Sequence, residues 1–171
     1  LLEDSSSDSD SEFLLPRYSS RQQPLLALAP ALVASIFSLQ SFFLYKRIRP
    51  RELTGCRWMK AEREEKAPNA VAFIRHFNGL VHWIAHEVLW AGTLRDRVRV
   101  VEHFVEISEA ALLLRNFHLV FAISAALDMQ CVHRLKELHM LLDVRTRSKQ
   151  QNLHKFTSSD NNYRRYRKVF S

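Results

Sequence analysis

Two histidines, His82 and His86, come closest to a metal site in this sequence, with Glu87 beside them. On a helix, a spacing of four residues places both imidazoles on one face, which a zinc ion requires. No third ligand stands at a matching spacing, and histidines on long helices are usually surface groups or satisfied interior groups. The sequence therefore predicts that no metal is bound.

Glycine is too rare for the common loops that bind phosphate or carry a catalytic serine. The chain has only 3 glycines and contains no G-x-x-x-x-G-K, G-x-G-x-x-G or G-x-S-x-G motif. Carboxylates suited to acid–base chemistry, such as Glu102, Glu106 and Glu109, are scattered along what reads as the charged face of a helix. We expect that the chain is not itself a nucleotide-binding enzyme, and the sequence offers no candidate for a catalytic residue, a cofactor or a small-molecule substrate.

A basic run near the end of the sequence, residues 164–168, interleaves one tyrosine with four cations. Such a run suits RNA, DNA or anionic lipid. No zinc finger or aromatic RNA signature accompanies it, and a charge run is most often a solvated face. We expect no nucleic-acid partner, and a basic helical adaptor for nucleic acid or lipid is kept as an alternative interpretation.

The composition predicts helices around one core. The chain has 171 residues, 47% of them hydrophobic, with 3 glycines and 5 prolines, too few turn residues for an all-β protein. We predict an all-α fold, an irregular multi-helix bundle. Cys56 and Cys131 lie far apart and no N-x-S/T acceptor occurs, which favours a reducing, cytoplasmic location.

The first residues differ in character from the remainder. Residues 1–12 contain five acids and no base, so the remaining residues carry 25 bases against 18 − 5 = 13 acids, a net charge of +12. This serine-rich segment has little apolar surface to bury and cannot recover the entropy lost on ordering. We interpret residues 1–24 as an acidic, disordered leader and residues 25–171 as the folded domain.

No charged residue occurs from position 22 to position 45, a stretch long enough to cross a bilayer. A membrane-anchored helical protein with its span here is therefore one alternative. Two prolines and several polar residues interrupt the stretch, and large apolar residues recur at helical spacing, with small residues on another side. We expect a buried core helix that a neighbour packs against closely. The large residues at helical spacing are Leu25, Leu28, Leu32, Ile36, Leu39 and Phe43, and the small residues on another side are Ala27, Ala31, Ala34, Ser35 and Ser38.

Further helices follow from apolar periodicity. Asn69 is the predicted N-cap of a long helix that ends at Gly92, and Thr93 with Asp96 predicts the cap of a second. Residues 117–127 are apolar nearly all round and should form the central helix. We also predict helices over residues 132–144, 148–156 and 161–170.

Seven motifs in a fixed order resemble the catalytic domain of Ras-family guanine-nucleotide exchange factors, the RasGEF domain. They are I-x-P-x-E-L-x-G-x-x-W at 48–58, P-N at 68–69, L-x-x-R at 94–97, L-R-N-F-H at 114–118, A-L at 126–127, V-H-R-L at 132–135 and N-Y-R at 162–164. The resemblance spans roughly residues 25–170. Several ordered motifs are far more specific than any single one.

The resemblance implies a partner, a Ras-family small GTPase such as Ras, Rap or Ral, which the domain grips at switch II while a helical hairpin opens the nucleotide site so that GDP leaves and GTP can enter. The implied role is that of a GTPase activator and not of an enzyme with its own chemistry. The implied GTPase-binding residues are Ile74, Arg75, Asn78, Phe121, Asp128, His133 and Tyr163. Three of these, Ile74, Phe121 and Tyr163, are expected to form an apolar pocket for an aromatic side chain of the GTPase. A cytoplasmic protein acting on such partners is also expected to permit peripheral membrane contact and recruitment to membranes.

Some features depart from the family pattern. The family usually has asparagine where Arg115, His118 and Asp128 stand, and the carboxylate of Asp128 bears on partner choice. The family also continues into a helical hairpin that opens the nucleotide site, so we expect a domain incomplete at its C-terminus and little exchange activity from residues 1–171 alone.

Overall fold

The computed structural model describes residues 24–169, and within that range every regular element is helical. Of the predicted leader, residues 1–24, only Pro24 falls inside this range. Short 3₁₀ helices cover Pro24–Ala27 and Thr54–Met59. The α-helices are α1 Pro30–Tyr45, α2 Pro50–Leu53, α3 Arg63–Lys66, α4 Pro68–Trp90, α5 Leu94–Leu113, α6 Phe117–Asp128, α7 Gln130–His133, α8 Lys136–Leu141, α9 Val144–Thr157 and α10 Arg164–Arg167. The predicted all-α fold is confirmed.

The core lies where α1, α4, α5 and α6 pack against one another. Helix α6 is central, as its apolar sequence predicts, and Leu119, Val120 and Ile123 are at most 1% exposed. The long neighbours α4 and α5 bury one face each against it, through Ile84 and Phe104 among others. Burial of these apolar side chains is the main source of stability in this bundle.

A buried carboxylate fixes the start of α4. Glu52, 1% exposed, accepts hydrogen bonds from the backbone N–H groups of Asn69 and Ala70 at 2.8 and 2.9 Å. It also accepts one from the Asn69 side chain at 2.7 Å and one from the Arg49 backbone at 3.3 Å. The predicted cap at Asn69 is therefore wrong: the N-cap position is Ala67, and Glu52 supplies the acceptor from another helix.

These hydrogen bonds decide the charge of Glu52. Burial by itself raises the pKa of a carboxyl group, because the charged form loses hydration. In Glu52 the hydrogen bonds from Asn69, Ala70 and Arg49 outweigh that effect, so its pKa lies below the usual value. The carboxylate therefore stays ionised and ties α2 to the positive end of α4.

The junction between α5 and α6 is closed by side-chain caps. Asn116 caps α6 by accepting from the Leu119 N–H at 3.1 Å, and its amide donates to Ser38 of α1 at 3.1 Å. Arg115, just before it, has a φ of 53°. Asparagine tolerates this left-handed region better than arginine does, which gives a physical reason for the family's usual asparagine at this position.

His118 packs where α1, α4 and α6 meet. Its ring lies 4.2 Å from that of Phe73 and 5.4 Å from that of His76, and its Nδ1 lies 3.2 Å from the Ser41 hydroxyl. Burial, followed by the nearby His76, lowers the pKa of His118 to about 4. The low pKa favours the neutral ring. His118, which stands where the family usually has asparagine, therefore contributes to the packing between helices.

The predicted helix over residues 132–144 is wrong. The chain instead forms α7 and α8 with a break at Arg134 and Leu135, which lets both Val132 and Leu138 reach the core. Helix α9 starts four residues before the predicted position 148, because Asp143 caps it by accepting from the Thr146 N–H. A cap signal in the sequence therefore outweighed the weak apolar periodicity.

The predicted last helix over residues 161–170 is shorter than expected. Asn161, Asn162 and Tyr163 have φ values of 51°, 56° and 55°, so the helical conformation begins only with α10. Residue 170 lies outside the described part of the chain. The left-handed run turns the chain sharply before α10 and sets the position of Tyr163.

The expectation of a buried core helix holds for only one side of α1. Its small side, with Val33, Ala34 and Ser41, packs against the bundle. Of the large residues at helical spacing, Leu25 is buried and the others are 42–59% exposed: Leu28, Leu32, Ile36, Leu39 and Phe43. Small residues let neighbouring helices approach closely, which is the physical reason for this choice. Nowhere in residues 24–169 is a helix long and apolar enough to span a membrane.

Candidate functional site

Three of the predicted site residues lie on the outer side of α4. Ile74 is 41% exposed, and Arg75 and Asn78 are also exposed. The Arg75 guanidinium donates to Glu64 at 2.6 Å, with both side chains more than half exposed. An exposed pair of this kind adds little stability, so Arg75 remains accessible to a partner. We name Ile74, Arg75 and Asn78 the α4 face.

Phe121 and Tyr163 meet across α6 and α10, with ring centroids 6.0 Å apart. Together with Asn162, Tyr166 and Arg167 they line a cavity of about 320 Å³, the aromatic cavity. The left-handed backbone of Tyr163 places this residue at the rim of the cavity, where it is 41% exposed. This is a concave apolar site of the kind that receives an aromatic or aliphatic side chain.

Behind the aromatic cavity lies a cluster of rings that supports it. Tyr166 packs edge-on against Phe121 and Phe117, both at 5.2 Å, and Phe156 of α9 stacks with Phe117 at 6.0 Å. Sequence reasoning missed Phe156 and Tyr166 as part of the site. The sequence held a partial signal for them: Phe117 and Phe121 are four apart on one face of α6, and this pair of rings is the surface on which Phe156 and Tyr166 pack.

Asp128 and His133 share a second concavity, at the ends of α6 and α7. This polar cavity measures about 400 Å³ and is also lined by His139, Arg147, Gln150, Gln151, His154 and Lys155. Asp128 pairs with His154 at 3.0 Å, with the two side chains 47% and 65% exposed. Sequence reasoning gave no role to α9, although this helix supplies most of the polar lining.

The cationic side chains around the polar cavity differ in their structural roles. Arg147 donates to three backbone carbonyls at the end of α8, those of His139, Met140 and Leu142, at 3.0–3.4 Å. It therefore satisfies carbonyls that the helix end leaves open. Lys155 is exposed at the rim, and α9 leads on to Arg164 and Arg165 beside a further cavity of about 300 Å³. The rim of the site as a whole is basic.

The structure brings the predicted residues together in three groups. The pairs in the aromatic and polar cavities stand on α6 and the elements after it, and the α4 face stands on the helix packed beside α6. Ile74 is not among the residues that line the aromatic cavity, so the pocket expected from Ile74, Phe121 and Tyr163 is built from Tyr166 instead of Ile74. The described residues hold no group of three or more side chains suited to a metal ion. His86 stacks on Trp90 at 5.3 Å.

A profile of the RasGEF domain matches residues 32–171, which is most of the chain. The chain belongs to the RasGEF family. Similar proteins include the Ras-specific guanine nucleotide-releasing factor RalGPS1 of Mus musculus, 35% identical over 143 residues, which are 84% of this chain and 24% of that protein. RalGPS2 of Homo sapiens, carrying the same description, is 33% identical over 147 residues, 86% of this chain and 25% of that protein.

A more distant RasGEF relative, the Ras guanine nucleotide exchange factor Q of Dictyostelium discoideum, is 30% identical over 146 residues. These cover 85% of this chain and 11% of that protein. The chain thus spans about a quarter or less of the length of the relatives it matches. The seven sequence motifs and the observed helices therefore belong to a RasGEF domain.

Proposed function

We propose that this chain binds a Ras-family small GTPase through its switch II segment, and that the longer protein promotes GDP release and GTP loading. The observation that carries the proposal is the aromatic cavity on a RasGEF domain. Phe121 and Tyr163 offer an apolar recess next to polar groups, an arrangement typical of interface hot spots. The α4 face and the polar cavity would extend the contact on either side.

The proposed activity requires no covalent chemistry from the chain. An exchange factor that binds the nucleotide-free GTPase more tightly than the loaded form shifts the equilibrium toward release. Each tenfold of preference corresponds to about 1.4 kcal/mol of differential binding. We therefore propose a GTPase activator without catalytic residues or cofactor, acting in the cytoplasm on GTPases of the Ras, Rap or Ral type.

The contribution of Asp128 is to partner choice. Its carboxylate is paired with His154 and shares the polar cavity with His133. A carboxylate at an interface favours a basic group on the partner and disfavours an acidic one. We propose that Asp128 selects among Ras-family GTPases according to the charge that they present to α6.

The test is the affinity of residues 1–171 for Ras, Rap and Ral, each prepared free of nucleotide and loaded with GDP. We expect at least one GTPase to bind about tenfold or more tightly in the nucleotide-free form, equivalent to at least about 1.4 kcal/mol. Equal affinity for the two forms, or no binding to any of the three, would contradict the proposal.

A second assay separates binding from exchange. We propose that residues 1–171 accelerate GDP release little or not at all, because the family's hairpin that opens the nucleotide site has no counterpart among the motifs matched here. Release of a fluorescent GDP analogue, followed with and without the chain, measures this. Brisk release by residues 1–171 would show that the described helices suffice for exchange.

A further inference from the structure

Helix α1 presents a continuous apolar stripe to the outside of the bundle. The stripe consists of Leu32, Ile36, Leu39 and Phe43, which recur every three or four residues and are 44–59% exposed. Its opposite side is held by the core through Val33, Ala34 and Ser41. A contiguous exposed apolar patch of this kind marks an interaction surface.

Basic residues follow the stripe directly. Residues 46–60 contain six lysines and arginines and one acid, Glu52, which is buried and fully engaged in hydrogen bonds. The Lys46 ammonium lies 4.4 Å from the centre of the Phe43 ring, so the first cation sits on the end of the stripe itself. Long basic side chains of this type can cover apolar surface with their stems while the charge reaches water or a polar headgroup.

A small cavity lies between this basic segment and the start of α4. It measures about 300 Å³ and is lined by Arg49, Arg51, Arg57 and Lys66, together with Glu52, Glu65, Pro68 and Asn69. The four cations outnumber the two carboxylates of this lining, and such a positive excess suits a phosphate group. Apolar and cationic surfaces therefore adjoin at one end of α1.

We propose that the α1 stripe and the basic segment after it form a surface that lies on an anionic lipid bilayer. The stripe runs along the length of α1, so the helix would rest parallel to the membrane with its large side chains among the upper acyl chains and the cations at the headgroups. Residues 22–45 contain no acid, so a second copy of the stripe offers these cations no negative group, whereas an anionic membrane does. The proposal stands independently of GTPase binding.

The test is co-sedimentation of residues 1–171 with phosphatidylcholine vesicles, prepared with and without phosphatidylserine. We expect binding to the vesicles that contain phosphatidylserine and much weaker binding to the neutral ones. Replacing Leu39 and Phe43 together by serine should reduce the bound fraction about tenfold, since two apolar side chains then no longer enter the bilayer. Replacing Lys46 and Arg47 together by glutamate should remove the preference for phosphatidylserine.

Met140→Ser is the matched control, because Met140 is 70% exposed and lies on α8, away from the stripe. It should bind vesicles as the unchanged chain does, and circular dichroism should show all variants equally helical. Absence of vesicle binding, or equal binding by the serine double variant, would overturn the proposal. A dimer that the serine double variant dissociates, without any vesicle binding, would also overturn it and assign the stripe to a second copy of the chain.

Discussion

Glu52, which fixes the start of α4, and Asp128, at the end of α6, are both carboxylates at or beside the family motifs, but their surroundings differ. Glu52 is 1% exposed and accepts four hydrogen bonds from within the chain. Asp128 is 47% exposed and lies within hydrogen-bonding distance of one histidine, His154. Burial separates the two carboxylates: Glu52 serves the fold, whereas we propose that the exposed Asp128 faces a partner.

Replacement of Glu52 should produce the largest change in the free energy of unfolding. Glu52→Ala leaves the donors of Arg49, Asn69 and Ala70 without their acceptor in a buried place, so we expect the free energy of unfolding to fall by about 3 kcal/mol. Urea denaturation followed by circular dichroism measures this.

Glu65→Ala, at an exposed position on α3, is the control and should change the free energy of unfolding by less than about 0.5 kcal/mol. If Glu52→Ala proves as stable as this control, Glu52 does not hold α4 in place, and its burial does not indicate a role in folding.

A smaller effect is expected when the stability of the fold is measured at acidic pH. The folded-state pKa of His118 is lowered from 6.5 to about 4, so between these values the unfolded chain binds a proton that the folded chain does not. Stability should therefore fall as the pH drops from 6.5 towards 4. The pKa values of His76 and His103 are lowered by burial too and act in the same direction.

His118→Asn places the family's usual residue at this position and should flatten the dependence of the unfolding free energy on pH between 6.5 and 4. The slope left over would come from His76, His103 and, near pH 4.5, Glu52, opposed by Glu102, whose pKa is raised by burial. Urea midpoints measured across this pH range give the comparison. An unchanged slope in the variant would mean that His118 titrates alike in the folded and unfolded chains.

Much of the core could be predicted from the sequence, because apolar periodicity is strong where a helix buries one face. Helices α4, α5 and α6 follow this rule, and the cap of α5 at Thr93 was evident from Asp96 three residues later. The division into α7 and α8 could not be predicted in this way, because the break at Arg134 and Leu135 depends on which residues reach the core.

The exposure of the large side of α1 could not be predicted for a related reason. Residues 22–45 are apolar on several sides, so the hydrophobic pattern did not say which side packs. Close approach by α5 and α6 favoured the small residues, around Ala34 and Ser38. The site residues came from family resemblance, and the side chains that complete the two cavities, such as Tyr166 and His154, were visible only once the helices were assembled.

The most direct test of the proposed GTPase-binding surface is the affinity of nucleotide-free GTPase for Arg75→Glu and Tyr163→Asn, with Arg95→Glu, at an exposed position on α5, as control. Asparagine suits the left-handed backbone at position 163, and Arg75 is exposed, so both variants should keep their helical circular dichroism. We predict that each binds about tenfold more weakly than the unchanged chain while the control does not. Full affinity in both variants would contradict the assignment of this surface to the GTPase.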